Sequence, residues 1–135
     1  MTAPTSAVDL NALSRIVLDS AFRVHTALGP GLLESAYQGC LLHELRQRRI
    51  DVASEVVLPV NYNGVKIDLG YRIDLLIEDE IILELKAIEK LAPIHHAQLL
   101  SYLKLSGKKL GFLMNFNVLH LKDGIKRVVN GFPES

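Results

Sequence analysis

The sequence predicts an α/β sandwich in which helices cover a mixed β-sheet. Apolar residues recur at helical spacing near the start of the chain and again after residue 93, and aliphatic segments of strand length lie between them. One predicted helix also connects two predicted strands, which is typical of a parallel crossover. With 135 residues, 49% of them hydrophobic and 22% charged, we expect one soluble domain over residues 9–135 after a frayed segment 1–8.

Two helices are predicted before the first strand. Asp9 can cap the first helix, and Gly29-Pro30-Gly31 ends it. The second helix is predicted from about residue 32 to residue 49, with Cys40 expected as a buried structural thiol. A single cysteine excludes an internal disulfide and any multi-cysteine metal site. The apolar stripes are Leu10, Leu13, Val17, Ala21, Val24 and Leu28 on the first helix, and Leu33, Ala36, Tyr37, Cys40, Leu41 and Leu45 on the second.

Three strands are predicted in the middle of the chain. Residues 52–62 are β-rich and end at Asn63-Gly64, a strong hairpin-turn signal. Residues 65–77 continue as one strand, with a bulge expected at Gly70, and residues 81–87 form the next.

The last part of the chain predicts a helix followed by closing strands. The helix covers residues 93–106, with Pro93 near its start and Gly107 at its end. As a crossover it should bring a strand at 110–116 into parallel pairing with strand 81–87. Residues 118–121 and 125–129 are predicted as further short strands.

Two carboxylates in the predicted hairpin are the main functional clue. A three-residue loop at 78–80 would pair Ile77 with Ile81, and therefore Asp74 with Glu84. A loop of even length would place the two acids on opposite faces. Like charges directly opposite each other destabilise a sheet. Two carboxylates inside an aliphatic hairpin therefore indicate a bound cation.

The residues beside these acids fit a hard divalent ion. Magnesium takes oxygen ligands, and the backbone carbonyl of Leu85 could add one to those of Asp74 and Glu84. Lys86 shares a strand face with Glu84 and could hold the attacking water or neutralise phosphate charge. The alternative is a solvated ladder in which Arg72 and Lys86 pair with the acids.

Three further pairs of polar residues have both structural and functional interpretations. Glu34 begins the second helix, where the dipole favours an anion, and could instead point toward the sheet; Tyr37, on the same face, could be a core residue. Gln98 and Tyr102 share one face of the third helix, at the margin of the core. The remaining pair, Asn115 and Asn117, ends a buried strand and is most simply a pair of turn formers.

Together these residues resemble the PD-(D/E)xK nuclease superfamily and, within it, the small bacterial branch called GxxExxY proteins. The resemblance covers about residues 10–129, and Arg72-Ile73 precedes the aspartate where the name expects proline. The matching residues are Gly31, Glu34 and Tyr37 for GxxExxY, Asp74 with Glu84-Leu85-Lys86 for D…ExK, and Gln98 with Tyr102 for the QxxxY helix of RecB-type members.

The resemblance implies a restriction-endonuclease-like core, a mixed β-sheet flanked by helices, and specific roles for its residues. Asp74 and Glu84 would bind Mg²⁺ or Mn²⁺, and Glu34 would add a ligand. Lys86 would assist attack by water. Substrate would be positioned by Gln98 and Tyr102, with Tyr37 as a further candidate.

We therefore expect a metal-dependent nuclease that hydrolyses phosphodiester bonds of DNA in preference to RNA. The alternatives are a catalytically inactive nuclease-fold module for binding or regulation, and a nucleotide phosphohydrolase, which the balance of 15 basic and 15 acidic residues favours. One site on so small a domain predicts a homodimer for cleavage of both strands. The apolar runs are too short to span a bilayer and no signal peptide is evident, so we expect a cytoplasmic protein with no membrane contact.

Overall fold

The computed structural model describes residues 9–132 and has the predicted α/β class. A five-stranded mixed sheet in the order β1-β4-β5-β6-β7 is flanked by helices, consistent with a restriction-endonuclease-like core. The helices are α1 (Leu10–Leu28), α2 (Glu34–Gln47) and α3 (Pro93–Ser106). The strands are β1 (Val52–Val57), β2 (Val60–Tyr62), β3 (Val65–Ile67), β4 (Arg72–Ile77), β5 (Ile81–Lys86), β6 (Leu110–Asn115) and β7 (Ile125–Val129).

Each face of the sheet carries its own apolar cluster. The larger cluster packs α1 and α2 against one face, and the smaller cluster packs α3 against the other. The larger includes Leu13, Val17, Tyr37, Leu41, Leu75, Leu83, Leu85 and Phe116. The smaller includes Leu58, Ile73, Ile82, Leu99, Tyr102, Leu103 and Leu113. Within the described residues no helix is long and apolar enough to cross a membrane.

The two N-terminal helices confirm most of the prediction. Asp9 caps α1 by accepting from the backbone amides of Asn11 and Ala12, each at 3.1 Å. In α2 the buried positions are Tyr37, Leu41 and Leu45. The predicted burial of Cys40 is wrong: this thiol is exposed because its helix position lies to the side of the stripe that meets the sheet. Leu33, also assigned to that stripe, precedes the helix and is exposed. The frayed segment predicted at 1–8 lies outside the described residues.

The middle of the chain forms a separate hairpin that the sequence did not resolve. The turn at Asn63-Gly64 is confirmed, with both residues at positive φ (51° and 79°) and Tyr62 paired with Val65. The prediction of one strand over 65–77 is wrong, because the chain leaves β3 at Ile67 and starts β4 at Arg72. Within residues 9–132, strands β2 and β3 pair only with each other, and residues 61–70 are all exposed.

The crossover is confirmed in its parallel direction and in its partner strand. Helix α3 spans the predicted residues, and Gly107 ends it with φ of 74°. Strand β6 runs parallel to β5, with Leu83 opposite Phe112 and Lys86 opposite Asn115. Residues 118–121 form no strand: they lead into a 3-10 turn, Leu121–Gly124, before β7.

Candidate active site

The turn between β4 and β5 determines which residues face each other at the site. Ile77 pairs with Ile81 and Leu75 with Leu83, as the three-residue loop predicts. The loop closes with a 2.8 Å hydrogen bond from the Glu80 amide to the Ile77 carbonyl. The acids at 74 and 84 are therefore brought together from two central strands, as predicted.

The two strands separate at these acids, and the carboxylates bridge the gap. The regular β4–β5 pairing ends at Leu75 and Leu83. Beyond it, the Asp74 amide donates to Glu84 Oε1 at 3.2 Å, and the Leu85 amide donates to Asp74 Oδ2 at 2.8 Å. Each carboxylate thus replaces a backbone carbonyl of the ladder, and the site is built from a defect in the sheet.

Strand β4 also changes its packing face at Asp74. Ile73 belongs to the cluster under α3, whereas Leu75 belongs to the cluster under α1 and α2. Residues two apart in a regular strand share a face, so the alternation is broken between them. Strand β1 has a matching break, with Val52 in the larger cluster, Val56 against the smaller one, and Glu55 between them at φ of 52°. The register places Glu55 across from Asp74.

Glu84 is buried and Asp74 half-buried, and the electrostatics of this acid pair favour a shared proton. Glu84 is 6% exposed. Burial, followed by the charge of Asp74, raises its pKa to about 8. Burial likewise raises the pKa of Asp74, against the hydrogen bond from the Leu85 amide. Two carboxylates this close titrate as a unit, so the metal-free pair holds a proton at neutral pH.

The burial of Glu84 excludes the alternative that the sequence left open, in which Arg72 and Lys86 form solvent-exposed ion pairs with the two acids. Arg72 pairs with Asp68 at 3.1 Å, not with the acids. Lys86 lowers the pKa of Asp74 and Glu84 through its charge, but within residues 9–132 it forms no ion pair shorter than 4.0 Å. The Lys86 ammonium thus influences both carboxyls through its charge without forming an ion pair with either one.

Glu34 faces the same centre from α2. Burial and then the charge of Asp74 raise its pKa, while Lys86 lowers it. This carboxyl is thus within the field of the pair, as the inward orientation requires. Among the described residues, however, no three His, Cys, Asp or Glu side chains are close enough together to form a ready-made metal-binding group. Asp74 and Glu84 are in contact, and Glu34 is near them.

Tyr37 supports the loop that leads into α2. Its hydroxyl donates to the Gly29 carbonyl at 2.6 Å and accepts from the Leu32 amide at 3.1 Å. Its ring is fully buried and stacks on Phe116 with 4.7 Å between centroids. Both the ring and the hydroxyl of Tyr37 thus make contacts within the protein, and the substrate-positioning role expected from the sequence stays a prediction. The side chain fixes the segment that begins the helix of Glu34.

The two asparagines after β6 brace the same end of the sheet. Asn115 is buried and holds residue 88 through both amide atoms, accepting from the Ile88 amide at 3.1 Å and donating to its carbonyl at 2.9 Å. Asn117 accepts from the Gly31 amide at 3.1 Å. They tie the loop after β5 and the loop before α2 to one strand end, which is more than the turn-forming role expected.

Gln98 and Tyr102 lie on the α3 side of the acids. Gln98 Nε2 donates to the Tyr102 hydroxyl at 3.2 Å, so the predicted pair is formed. Burial and then the charge of Glu84 raise the pKa of Tyr102, against the hydrogen bond from Gln98. Tyr102 thus stands beside the acid pair. His95, in contrast, accepts from the Ala92 amide at 2.9 Å and caps the helix.

Two residues at the site were missed by the sequence analysis. Glu55, which is exposed, raises the pKa of both Asp74 and Glu34 through its charge and therefore lies within the field of the centre. Gln38 donates to the Asp74 carbonyl at 3.3 Å and attaches α2 to β4. Gln38 could have been found from its position one helical turn after Glu34. Nothing in the sequence of β1 indicated that the charge of Glu55 would lie near these acids.

The fold and site define a restriction-endonuclease-like protein: a mixed sheet with two acids and a lysine where two central strands separate. The family profile described as PD-(D/E)XK nuclease superfamily matches residues 11–128. The chain therefore belongs to the PD-(D/E)XK nuclease superfamily. No curated protein and no solved structure matches the chain.

Proposed function

We propose that this protein is a metal-dependent nuclease that hydrolyses phosphodiester bonds of DNA. The observation that carries the proposal is the contact between two carboxylates, the buried Glu84 and the half-buried Asp74, in a superfamily of nucleases. Burying two like charges together is costly unless a proton or a cation compensates them. A site that serves only the fold has no need of such a pair.

The donor set fits a hard divalent cation, Mg²⁺ or Mn²⁺. Asp74 Oδ2 and Glu84 Oε1 each accept one backbone hydrogen bond, and the two carboxyls also hydrogen-bond each other, so a cation would bind by displacing the proton that they share. We assign Asp74, Glu84 and the Leu85 carbonyl as ligands, with Glu34 joining by side-chain rotation. When bound, such an ion stabilises phosphate charge and acidifies water.

The remaining roles follow from position and charge. The charge of Lys86 acts on the pair, and we assign its ammonium to neutralise the phosphate and orient the attacking water. Gln98 and Tyr102 lie on the α3 side and contact the substrate near the scissile bond. Tyr37 contributes indirectly, because it holds the loop before Glu34.

Membership of the GxxExxY branch is also part of the proposal. Gly31, Glu34 and Tyr37 have the required spacing. The geometry supports the proposal at each position. Gly31 has φ of 101°, Glu34 faces the acids, and the Tyr37 hydroxyl holds the loop that precedes α2. A further element of the proposal is a homodimer, since a single site cuts one strand. A dimeric mass by light scattering supports it, and a monomeric mass at working concentration contradicts it.

The test is cleavage of a labelled DNA set (single-stranded, duplex and branched) beside RNA and free nucleotides in Mg²⁺. Asp74→Ala and Lys86→Ala should each abolish the activity, and Lys90→Ala, at an exposed lysine beyond the site, should retain it. Thermal melts establish that the variants are folded. Cleavage that survives both site substitutions in clean preparations overturns the catalytic proposal. Hydrolysis of free nucleotides without cleavage of any nucleic acid would instead identify a nucleotide phosphohydrolase.

One observation favours a second candidate, a binding module that retains the nuclease fold without catalysis. Within residues 9–132 the acids do not form a ready-made group of three for a metal. A non-catalytic module would bind nucleic acid equally well in Mg²⁺ and in chelator. The nuclease proposal requires instead that Mg²⁺ binds at the site and that cleavage depends on it.

A further inference from the structure

We propose that Tyr71 is a stacking platform for an unpaired nucleobase next to the scissile phosphate. This inference rests on the proposed function and narrows its substrate to nucleic acid whose bases are unpaired near the cut: single strands, frayed ends or flaps. It adds a residue that belongs to neither the acid–lysine set nor the Gln98–Tyr102 pair.

The position of the ring is the first support. Tyr71 immediately precedes β4 and is 41% exposed. Its ring centroid lies 5.9 Å from that of Tyr102, with 57° between the ring planes. Tyr102, 6% exposed, is in turn close enough to Glu84 for the acid's charge to raise its pKa. The acid pair, a buried ring and an exposed ring therefore follow one another outward from the centre.

The ring is carried on a fixed backbone. The Tyr71 carbonyl accepts from the Leu58 amide at 3.0 Å and from Arg72 Nη1 at 2.9 Å. Gly70, at φ of 87°, makes the bend that brings the chain from the hairpin into β4. A large side chain on an anchored main chain loses little further freedom when it binds a ligand. In the described part of the chain, the Tyr71 hydroxyl has no hydrogen bond that would explain its placement.

The chemistry of an exposed ring beside a phosphodiesterase centre favours a base. Every nucleobase has a π face, and stacking on an aromatic side chain tolerates any sequence. In a duplex those faces are covered by neighbouring bases, so the platform is available only to an unpaired one. The chain has 15 basic and 15 acidic residues, so it lacks the cationic excess of proteins that hold duplex through phosphates alone.

The experiment measures binding and cleavage of one probe, a short single-stranded DNA with 2-aminopurine next to the cut position. Binding is followed by fluorescence in Ca²⁺, and cleavage separately in Mg²⁺. The variants are Tyr71→Phe, Tyr71→Leu and Tyr71→Ala. Tyr62→Ala is the matched control, because Tyr62 is an exposed tyrosine on the hairpin, with no ring contact to Tyr71 or Tyr102 among the described residues.

We expect the wild type, Tyr71→Phe and Tyr62→Ala to quench the probe and bind it alike. Tyr71→Leu, which keeps an apolar contact with Tyr102, and Tyr71→Ala should lose the quenching and bind roughly 5- to 100-fold more weakly. The effect on a blunt duplex should be small.

The proposal is overturned if the wild type does not bind the probe, if Tyr71→Leu and Tyr71→Ala quench and bind like the wild type, or if Tyr62→Ala loses as much. Cleavage that is indifferent to Tyr71 removes the platform and leaves the nuclease standing. Tyr71-dependent binding without any cleavage removes the nuclease and leaves the platform.

Discussion

The backbone amide of Leu85 donates a 2.8 Å hydrogen bond to Oδ2 of Asp74, across the gap where β4 and β5 separate. The reciprocal contact, from the Asp74 amide to Glu84, uses the second acid in the same way. Each acid therefore satisfies a backbone donor of the other strand, and the two carboxyls are also hydrogen-bonded to each other. The same two side chains thus hold the strands together and are the proposed metal ligands. A substitution of either one therefore affects both the fold and the site.

Glu84→Gln should remove a pH dependence of stability. The pKa of Glu84 is raised from 4.5 to about 8 in the metal-free fold, so the folded state binds the extra proton. The stabilisation is fully present below the unfolded pKa and is lost as pH rises through the folded pKa, with a total of roughly 5 kcal/mol. The glutamine keeps an acceptor for the Asp74 amide. Urea unfolding from pH 4 to 9 without metal should show a falling free energy for the wild type and a flatter profile for the variant.

The control for that series is Glu89→Gln, at an exposed glutamate. This variant should follow the wild type at every pH. A Glu84→Gln profile as steep as that of the wild type would show that the buried pair does not carry the dependence.

Magnesium binding should release a proton at neutral pH. The ion needs both carboxylates ionised, whereas the metal-free pair with Glu84 near pKa 8 holds a proton at pH 7. Affinity should rise up to about tenfold per pH unit as pH approaches 8, and then level off. Isothermal titration calorimetry at one pH, in buffers of different ionisation enthalpy, measures the proton count. A heat of binding that is independent of the buffer would contradict this expectation.

Tyr37→Phe should destabilise the protein without removing any group from the site. The phenylalanine keeps the stacking on Phe116 but leaves the Gly29 carbonyl and the Leu32 amide without their shared partner. We expect a loss of about 1–3 kcal/mol in the free energy of unfolding. Urea denaturation reports it, and Tyr62→Phe, at an exposed hydroxyl, should change nothing. Equal stability of the two variants would refute the role of Tyr37 in supporting the loop.

Substitutions of Glu55 test whether the backbone is strained at the break in β1. Its φ of 52° lies in the left-handed region, which glycine adopts freely and other residues adopt at a cost. Glu55→Gly should therefore be more stable than Glu55→Ala by about 1 kcal/mol, although both remove the same charge. Chemical denaturation of the two variants side by side gives the difference. If the alanine variant is the more stable, position 55 has an ordinary strand conformation in solution.

The sequence predicted the contact between the two acids because loop parity is a local rule. Residues 78–80 count as three, and that number alone brings Asp74 opposite Glu84. The limits of the third helix were predicted in the same way, because Pro93 begins it and Gly107 ends it. Both predictions needed only the immediate neighbours of each element.

The remaining features depend on tertiary contacts that no local pattern encodes. By its spacing in the sequence, Cys40 belongs to the apolar stripe of α2, but the sheet covers only the side of the helix that carries Tyr37 and Leu41. Residues 118–121 have strand-like composition, yet the chain turns there into a 3-10 segment. The exposed Glu55 lies at a break shared between two strands, which becomes visible only when β1 is placed beside β4.

The protruding hairpin has a practical consequence for engineering. None of its backbone pairs belongs to the five-stranded sheet, and its turn at Asn63-Gly64 is exposed on all sides. An inserted peptide or a fluorophore at this turn should leave the cooperative unfolding of the main body unchanged, because exposed loop tips tolerate insertion. The turn is therefore a handle for immobilising or labelling the protein.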